Sequence, residues 1–165
     1  MTAMTERFFE DFAVGQKFGS GTVTVTTARI KAFAAEFDPQ PFHLDEPLAR
    51  ESLFGGLVAS GWHTAALTMR LIVDSEIHLA GGTVGAGAEA VSWPRPVRPG
   101  DVLHAESEVV ALRPSRSRPE IGVMKLEVTT YNQDGEPVQI FTPVLMVRRR
   151  TRGGALEDAP AQAGG

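Results

Sequence analysis

The chain has 165 residues, 42% hydrophobic and 22% charged, with a formal net charge of -4 and no cysteine. Length and composition suit one globular domain, which buries roughly 70% of the surface its unfolded chain exposes. The missing cysteines exclude disulfide frameworks, thiolate catalysis and cysteine-based metal sites. The acidic balance argues against a nucleic-acid platform but leaves room for a local basic patch facing a phosphorylated ligand.

The opening MTAMTERFFEDF is polar and acidic, without the apolar segment of a signal peptide. No apolar run reaches ~18 residues, so no membrane span is expected, and the expected location is the cytoplasm. Residues 17–26 alternate in the manner of a strand and are rich in β-branched side chains. Thr26 or Thr27 then caps a short amphipathic helix over 27–37, with Ile30, Phe33, Ala34 and Phe37 on one face. Asp38-Pro39 ends that helix, because the residue before a proline is pushed out of the α region. DPQPFHLDEP reads as a proline-stiffened loop and LARESLF as a further short helical turn.

The longest helical candidate spans 58–74 and is apolar almost all round until Arg70, the mark of a buried helix. Strands follow over 83–92, 102–112, 121–132 and 137–149, separated by proline-rich turns and an Asp134-Gly135 hairpin signal. The glycine-rich GGTVGAG at 81–87 opens the first of them and suggests a strand that receives a close neighbour. Pro143 suggests an edge strand or a bulge. Long consecutive strands pair antiparallel. The expected fold class is therefore α+β, an antiparallel sheet wrapped around one long buried helix. With no internal repeat and no boundary, one domain over 1–150 is expected, followed by a disordered tail over 151–165.

Without cysteine, chemistry falls to histidines, carboxylates and hydroxyls. His43 follows Asp38 by five residues, with two prolines between them. A carboxylate and an imidazole held together can position a water and move two protons, which is the equipment for adding water to a double bond. The same residues also fit a helix-terminal turn and a surface loop, and spacing alone favours that plainer reading. Ser60-Gly61 lacks the frame of a nucleophile elbow. Gly61 lies near the start of the long helix, where backbone N–H groups lack intrahelical partners and bind negative oxygen, although close packing alone would also explain a glycine. His63, within the apolar helix, reads as a satisfied core or boundary histidine. His78 and His104 show no partner in the sequence. No histidine pair has metal-ligand spacing and no nucleotide-binding glycine motif occurs, so neither metal nor cofactor is expected. The arginines at 95, 98, 113, 116, 118 and 148–150 fit either a solvated face or contacts to phosphates.

The residues from Phe8 to Met69 resemble the MaoC-like dehydratases, including the (R)-specific enoyl-CoA hydratases. FFEDFAVGQKF is similar to the family's opening, and Phe37-Asp38-Pro39-Gln40-Pro41-Phe42-His43-Leu44-Asp45 to its hydratase motif. SLFGGLVASGW is similar to the segment that brings a glycine to the substrate carbonyl, with Gly61 at 18 residues after His43. VRPGD at 97–101 is also family-like, and the whole resemblance spans 8–150. It implies a hot-dog fold, a homodimer or dimer of dimers with its pocket at the subunit interface, and an acyl-CoA thioester as substrate. It further implies that Asp38 and His43 activate water, that the Gly61 N–H binds the thioester oxygen, and that the product is the (3R)-hydroxyacyl thioester. A hot-dog thioesterase and a non-catalytic acyl-CoA-binding protein are the competing readings. Two departures bear on acyl-chain preference. Gln40 stands where the motif commonly has asparagine, and Met69 stands where some hydratases carry a serine.

Overall fold

The computed structural model describes residues 4–150; the first three residues and the expected tail at 151–165 lie outside it. After a 3-10 turn at Phe9–Asp11, the elements are β1 (Lys17–Thr24), α1 (Thr27–Phe37), α2 (Pro41–Leu44), α3 (Glu46–Glu51), α4 (Gly61–Val73), β2 (Val84–Ser92), β3 (Val102–Pro114), β4 (Ile121–Tyr131) and β5 (Pro137–Arg148). The strands form one antiparallel sheet in the order β1-β3-β4-β5-β2. The last three strands are neighbours as consecutive hairpins; the Asp134-Gly135 turn closes β4 on β5, with Gly135 at φ 72°. This sheet with α4 seated on it is the hot-dog fold.

Alternation explains the seating. Leu103, Ala105, Ser107 and Val109 of β3 point inward, as do Met124, Leu126, Val128 and Thr130 of β4. They meet Leu67, Leu71 and Ile72 of α4 in one core. The period of 3.6 puts His63, Thr64, Leu67, Thr68, Leu71 and Ile72 on the buried face of α4. The chain covers only that face: Trp62, Met69 and Val73 stay exposed. An apolar stretch read without its tertiary partner does not say which of its faces the chain itself can reach.

Two local expectations change. Pro143 is not on an edge strand, since β5 lies between β4 and β2. The bulge, the other half of that expectation, is present: the β2–β5 register shifts on both sides of the Ala88–Pro143 pair, and the β4–β5 ladder carries no pair at Thr142 or Pro143. Within the glycine-rich 81–87 segment the close neighbour is at Gly81, where a Cβ would lie 3.0 Å from Arg148 Cδ, whereas among the described residues nothing lies within 4 Å of a Cβ at Gly85 or Gly87 in β2. Close approach also occurs at Gly122, where the absent side chain makes room for the Phe9 ring. The VRPGD turn ties the site region to the sheet. Gly100 turns it at φ 89°, the Arg98 N–H donates to Asp101 Oδ2 at 2.9 Å, and the Val97 carbonyl accepts from Ala59 N–H at 2.8 Å.

Candidate active site

The Thr26 hydroxyl accepts from Arg29 N–H and starts α1, which runs to Phe37 and hands over to Asp38 in an extended, non-helical conformation. Pro39 forbids another helical turn, and the Asp38 carbonyl accepts from Gln40 N–H at 2.7 Å. Pro41 then opens α2 at its first position, where a missing N–H carries no penalty. His43 is therefore on a one-turn helix and not in a loop. That turn faces it back toward Asp38, with His43 Nε2 3.3 Å from Asp38 Oδ2.

The second histidine nitrogen is also fixed. His43 Nδ1 lies 2.6 Å from the Val58 carbonyl. A carbonyl only accepts, so Nδ1 carries a proton. The ring is thereby oriented with Nε2 toward the Asp38 carboxylate. Ser60 completes the arrangement: its hydroxyl donates to the same Asp38 Oδ2 at 2.7 Å and accepts from Trp62 N–H at 3.2 Å, capping α4. Among the described residues Asp38 Oδ1 has no hydrogen-bond partner. The pair is buried on the histidine side and partly open on the carboxylate side, with side-chain exposures of 7% and 23%.

Gly61 is the first residue of α4, so its N–H has no intrahelical carbonyl to reach. It lines a cleft of about 460 Å³ together with His43, Thr64, Trp93, Arg95 and Arg98. Glycine is required there by contact and not by backbone angle: a Cβ would lie 2.7 Å from Trp93 Cε2. The imidazole of His43 and the helix-start N–H of Gly61 thus border one cleft, and the Asp38 carboxylate, outside its lining, lies 3.3 Å from His43 Nε2. The arrangement is able to hold a polar carbonyl, hold a water and move its protons.

Comparison with known proteins decides the family. Residues 10–132 match the MaoC like domain family. The chain belongs to the MaoC-like dehydratases. A MaoC-like dehydratase from Rhodospirillum rubrum has a similar crystal structure, with 58% identity, TM-score 0.84, and coverage of 88% of this chain and 99% of that one. An (R)-hydratase from A. caviae involved in PHA biosynthesis is similar at 28% identity and TM-score 0.68, over 82% of this chain and 97% of that one. The protein YdeM of Bacillus subtilis is 34% identical over 140 residues, 84% of this chain and 95% of its own length.

In this MaoC-like chain Asp38 lies beside His43, and His43 and Gly61 border the same cleft. Ser60 was missed as a partner of Asp38; its place directly before a helical run was the legible signal of a cap. His63 is buried but not satisfied. Its ring stacks on Phe33 at 4.8 Å and its Nδ1 has no hydrogen-bond partner. Burial, and secondarily the Arg29 charge, hold its imidazole below the ordinary value. Met69 lies on the exposed face of α4 and not among the cleft residues, so it does not reshape the cleft within the chain. Of the arginines, Arg95 and Arg98 flank the cleft, Arg95 paired with Glu136 at 3.4 Å and Arg98 donating to the Phe54 carbonyl at 2.7 Å, and Arg149 and Arg150 pair with Glu10 and Asp11. His104 stacks on Tyr131. Among the described residues no group of acidic or histidine side chains has the arrangement of a metal site, and no helix is long and apolar enough to cross a membrane.

Proposed function

We propose that the protein adds water to a 2-enoyl-CoA thioester, or removes it in reverse, through Asp38, His43 and the Gly61 N–H. The observation that carries this reading is the Asp38–His43 contact of 3.3 Å with His43 Nδ1 tied to the Val58 carbonyl. C3 of a 2-enoyl thioester is electrophilic because the conjugated carbonyl withdraws charge. As water attacks C3, negative charge builds on the thioester oxygen. A donor aimed at that oxygen stabilises the transition state more than the ground state and is worth about 3 kcal/mol. The Gly61 N–H is that donor. Water held by Asp38 and His43 gives its proton to the pair, and the pair returns a proton to C2 on the same face. The addition is syn, and by resemblance to the (R)-specific hydratases the product is the (3R)-hydroxyacyl thioester. Arg95 and Arg98 at the cleft supply positive charge for the CoA phosphates. No cofactor enters this mechanism.

The same reading includes a homodimer, or a dimer of such dimers. β2 is a sheet edge exposed along nearly its whole length, and an uncovered edge with exposed apolar side chains on the neighbouring helix favours pairing with a second copy. Sedimentation should give a dimer or larger species; a fully active monomer at micromolar concentration rejects it. The activity is tested by incubating the protein with crotonyl-CoA and following loss of the conjugated thioester, with chiral analysis of the 3-hydroxyacyl product. Release of free CoA thiol without hydration would mean thioester cleavage instead. Binding of the thioester with neither outcome would mean a non-catalytic acyl-CoA-binding protein.

A further inference from the structure

A buried glutamine stands behind the cleft wall. Gln139 of β5 is fully buried, on the face of the sheet that meets α4. Its Oε1 accepts from Trp93 Nε1–H at 2.9 Å, and its Nε2 has no partner. The orientation of the amide is dictated, because an indole N–H only donates. An unsatisfied buried amide is destabilising, and an apolar side chain of the same size would carry no such penalty. Among the described residues the one hydrogen-bond partner of its side chain is Trp93. That residue follows β2, lines the cleft and presses its ring against Gly61, where a Cβ would come within 2.7 Å. Trp62, the neighbour of Gly61, meets the Trp93 ring edge-on at 5.3 Å between centroids.

We propose that Gln139 is a positioning residue that latches Trp93 against Gly61, and that the latched indole fixes where the thioester lies relative to the Gly61 N–H. This rests on the hydratase reading above. A donor at a helix start stabilises a developing oxyanion only when the oxygen arrives in line with it. The indole forms the wall beside that N–H. Freeing it widens the cleft at the point where alignment matters most and leaves the Asp38–His43 contact untouched. The arrangement sacrifices stability at Gln139 for geometry at Gly61.

Gln139→Leu, Trp93→Phe and the double variant test it. With crotonyl-CoA each single variant should lower kcat about tenfold, since small misplacements of a reacting group have effects of that order or larger. KM should move by less than kcat, and the double variant should lose no more than the worse single one, because the two side chains act as a unit. The melting temperature of Gln139→Leu should equal or exceed that of the wild type. An unchanged kcat, losses that multiply, or a kcat loss accompanied by a fall of the melting temperature would each overturn the latch. A second readout needs no turnover. The chain has two tryptophans, so the Trp62 indole N–H serves as the internal reference in an NMR spectrum. The Trp93 indole N–H should be protected from exchange in the wild type and lose that protection in Gln139→Leu, with a shift at the Gly61 amide. If the wild type hydrates no enoyl thioester, the hydratase reading fails by itself. If the Trp93 and Gly61 signals ignore Gln139→Leu, the latch fails by itself.

Discussion

His43 and His63 are equally buried, each 5% exposed, yet they occupy opposite chemical situations. His43 has both ring nitrogens engaged, Nδ1 with the Val58 carbonyl and Nε2 beside Asp38, and its ring borders the cleft. His63 has a stacking partner and an idle buried nitrogen. Burial alone therefore does not mark a histidine that moves protons. What distinguishes His43 is a ring oriented by the Val58 carbonyl on one side and a carboxylate beside it on the other.

The largest expected effect separates the two. Asp38→Asn and His43→Gln should each lower kcat by about 100-fold or more, with folding and KM largely retained. The double variant should lose little beyond the worse single one, since in the proposed mechanism Asp38 and His43 act as a unit. Wild-type kcat in His43→Gln would move the search to His63 and break the comparison.

Gly61→Ala comes next. The new Cβ would meet the Trp93 ring at 2.7 Å, so ring or helix must shift. Overpacking of this kind costs about 1–3 kcal/mol, readable by chemical denaturation, and the displaced N–H should lower kcat as well. Full stability in Gly61→Ala would show that Trp93 does not rest on the helix start.

Ser60→Ala sharpens the His43 side. Loss of the cap should cost about 1 kcal/mol of stability. Loss of the 2.7 Å hydrogen bond to Asp38 should lower kcat about tenfold, and Ser60→Thr should restore much of both. A stability loss without any change in kcat would confine Ser60 to the cap.

The smallest effect falls on His63. Its imidazole is held below the ordinary value of 6.5, so the folded chain binds fewer protons there than the unfolded chain. The stability it contributes is present above about pH 6.5 and is lost as pH falls through the lower folded value. His63→Phe should leave kcat nearly unchanged and should shrink the loss of melting temperature between neutral and mildly acidic pH. An identical pH dependence in the variant would mean that His63 is not held neutral by the fold.

Local order was legible in the chain itself. Thr26 capping 27–37, Asp38-Pro39 stopping it, and alternation in β3 and β4 are short-range consequences of sterics and periodicity, so the elements followed from composition and spacing. The five-residue interval between Asp38 and His43 by itself favoured a helix-terminal turn and a surface loop, and the resemblance to MaoC-like dehydratases reversed that reading. Sequence alone does not bring residues together across the chain. The Val58 carbonyl that sets the His43 tautomer, the Ser60 hydroxyl that reaches Asp38 across 22 positions and the Gln139 amide that holds Trp93 across 46 are long-range contacts. They exist only in the tertiary fold; the Gln139–Trp93 contact, for one, follows from the pairing of β2 with β5, which sets Ser92 opposite Ile140. The seating of α4 decided which face of the apolar helix is covered, and the strand order put Pro143 in an interior strand beside irregular pairing, neither of which periodicity encodes.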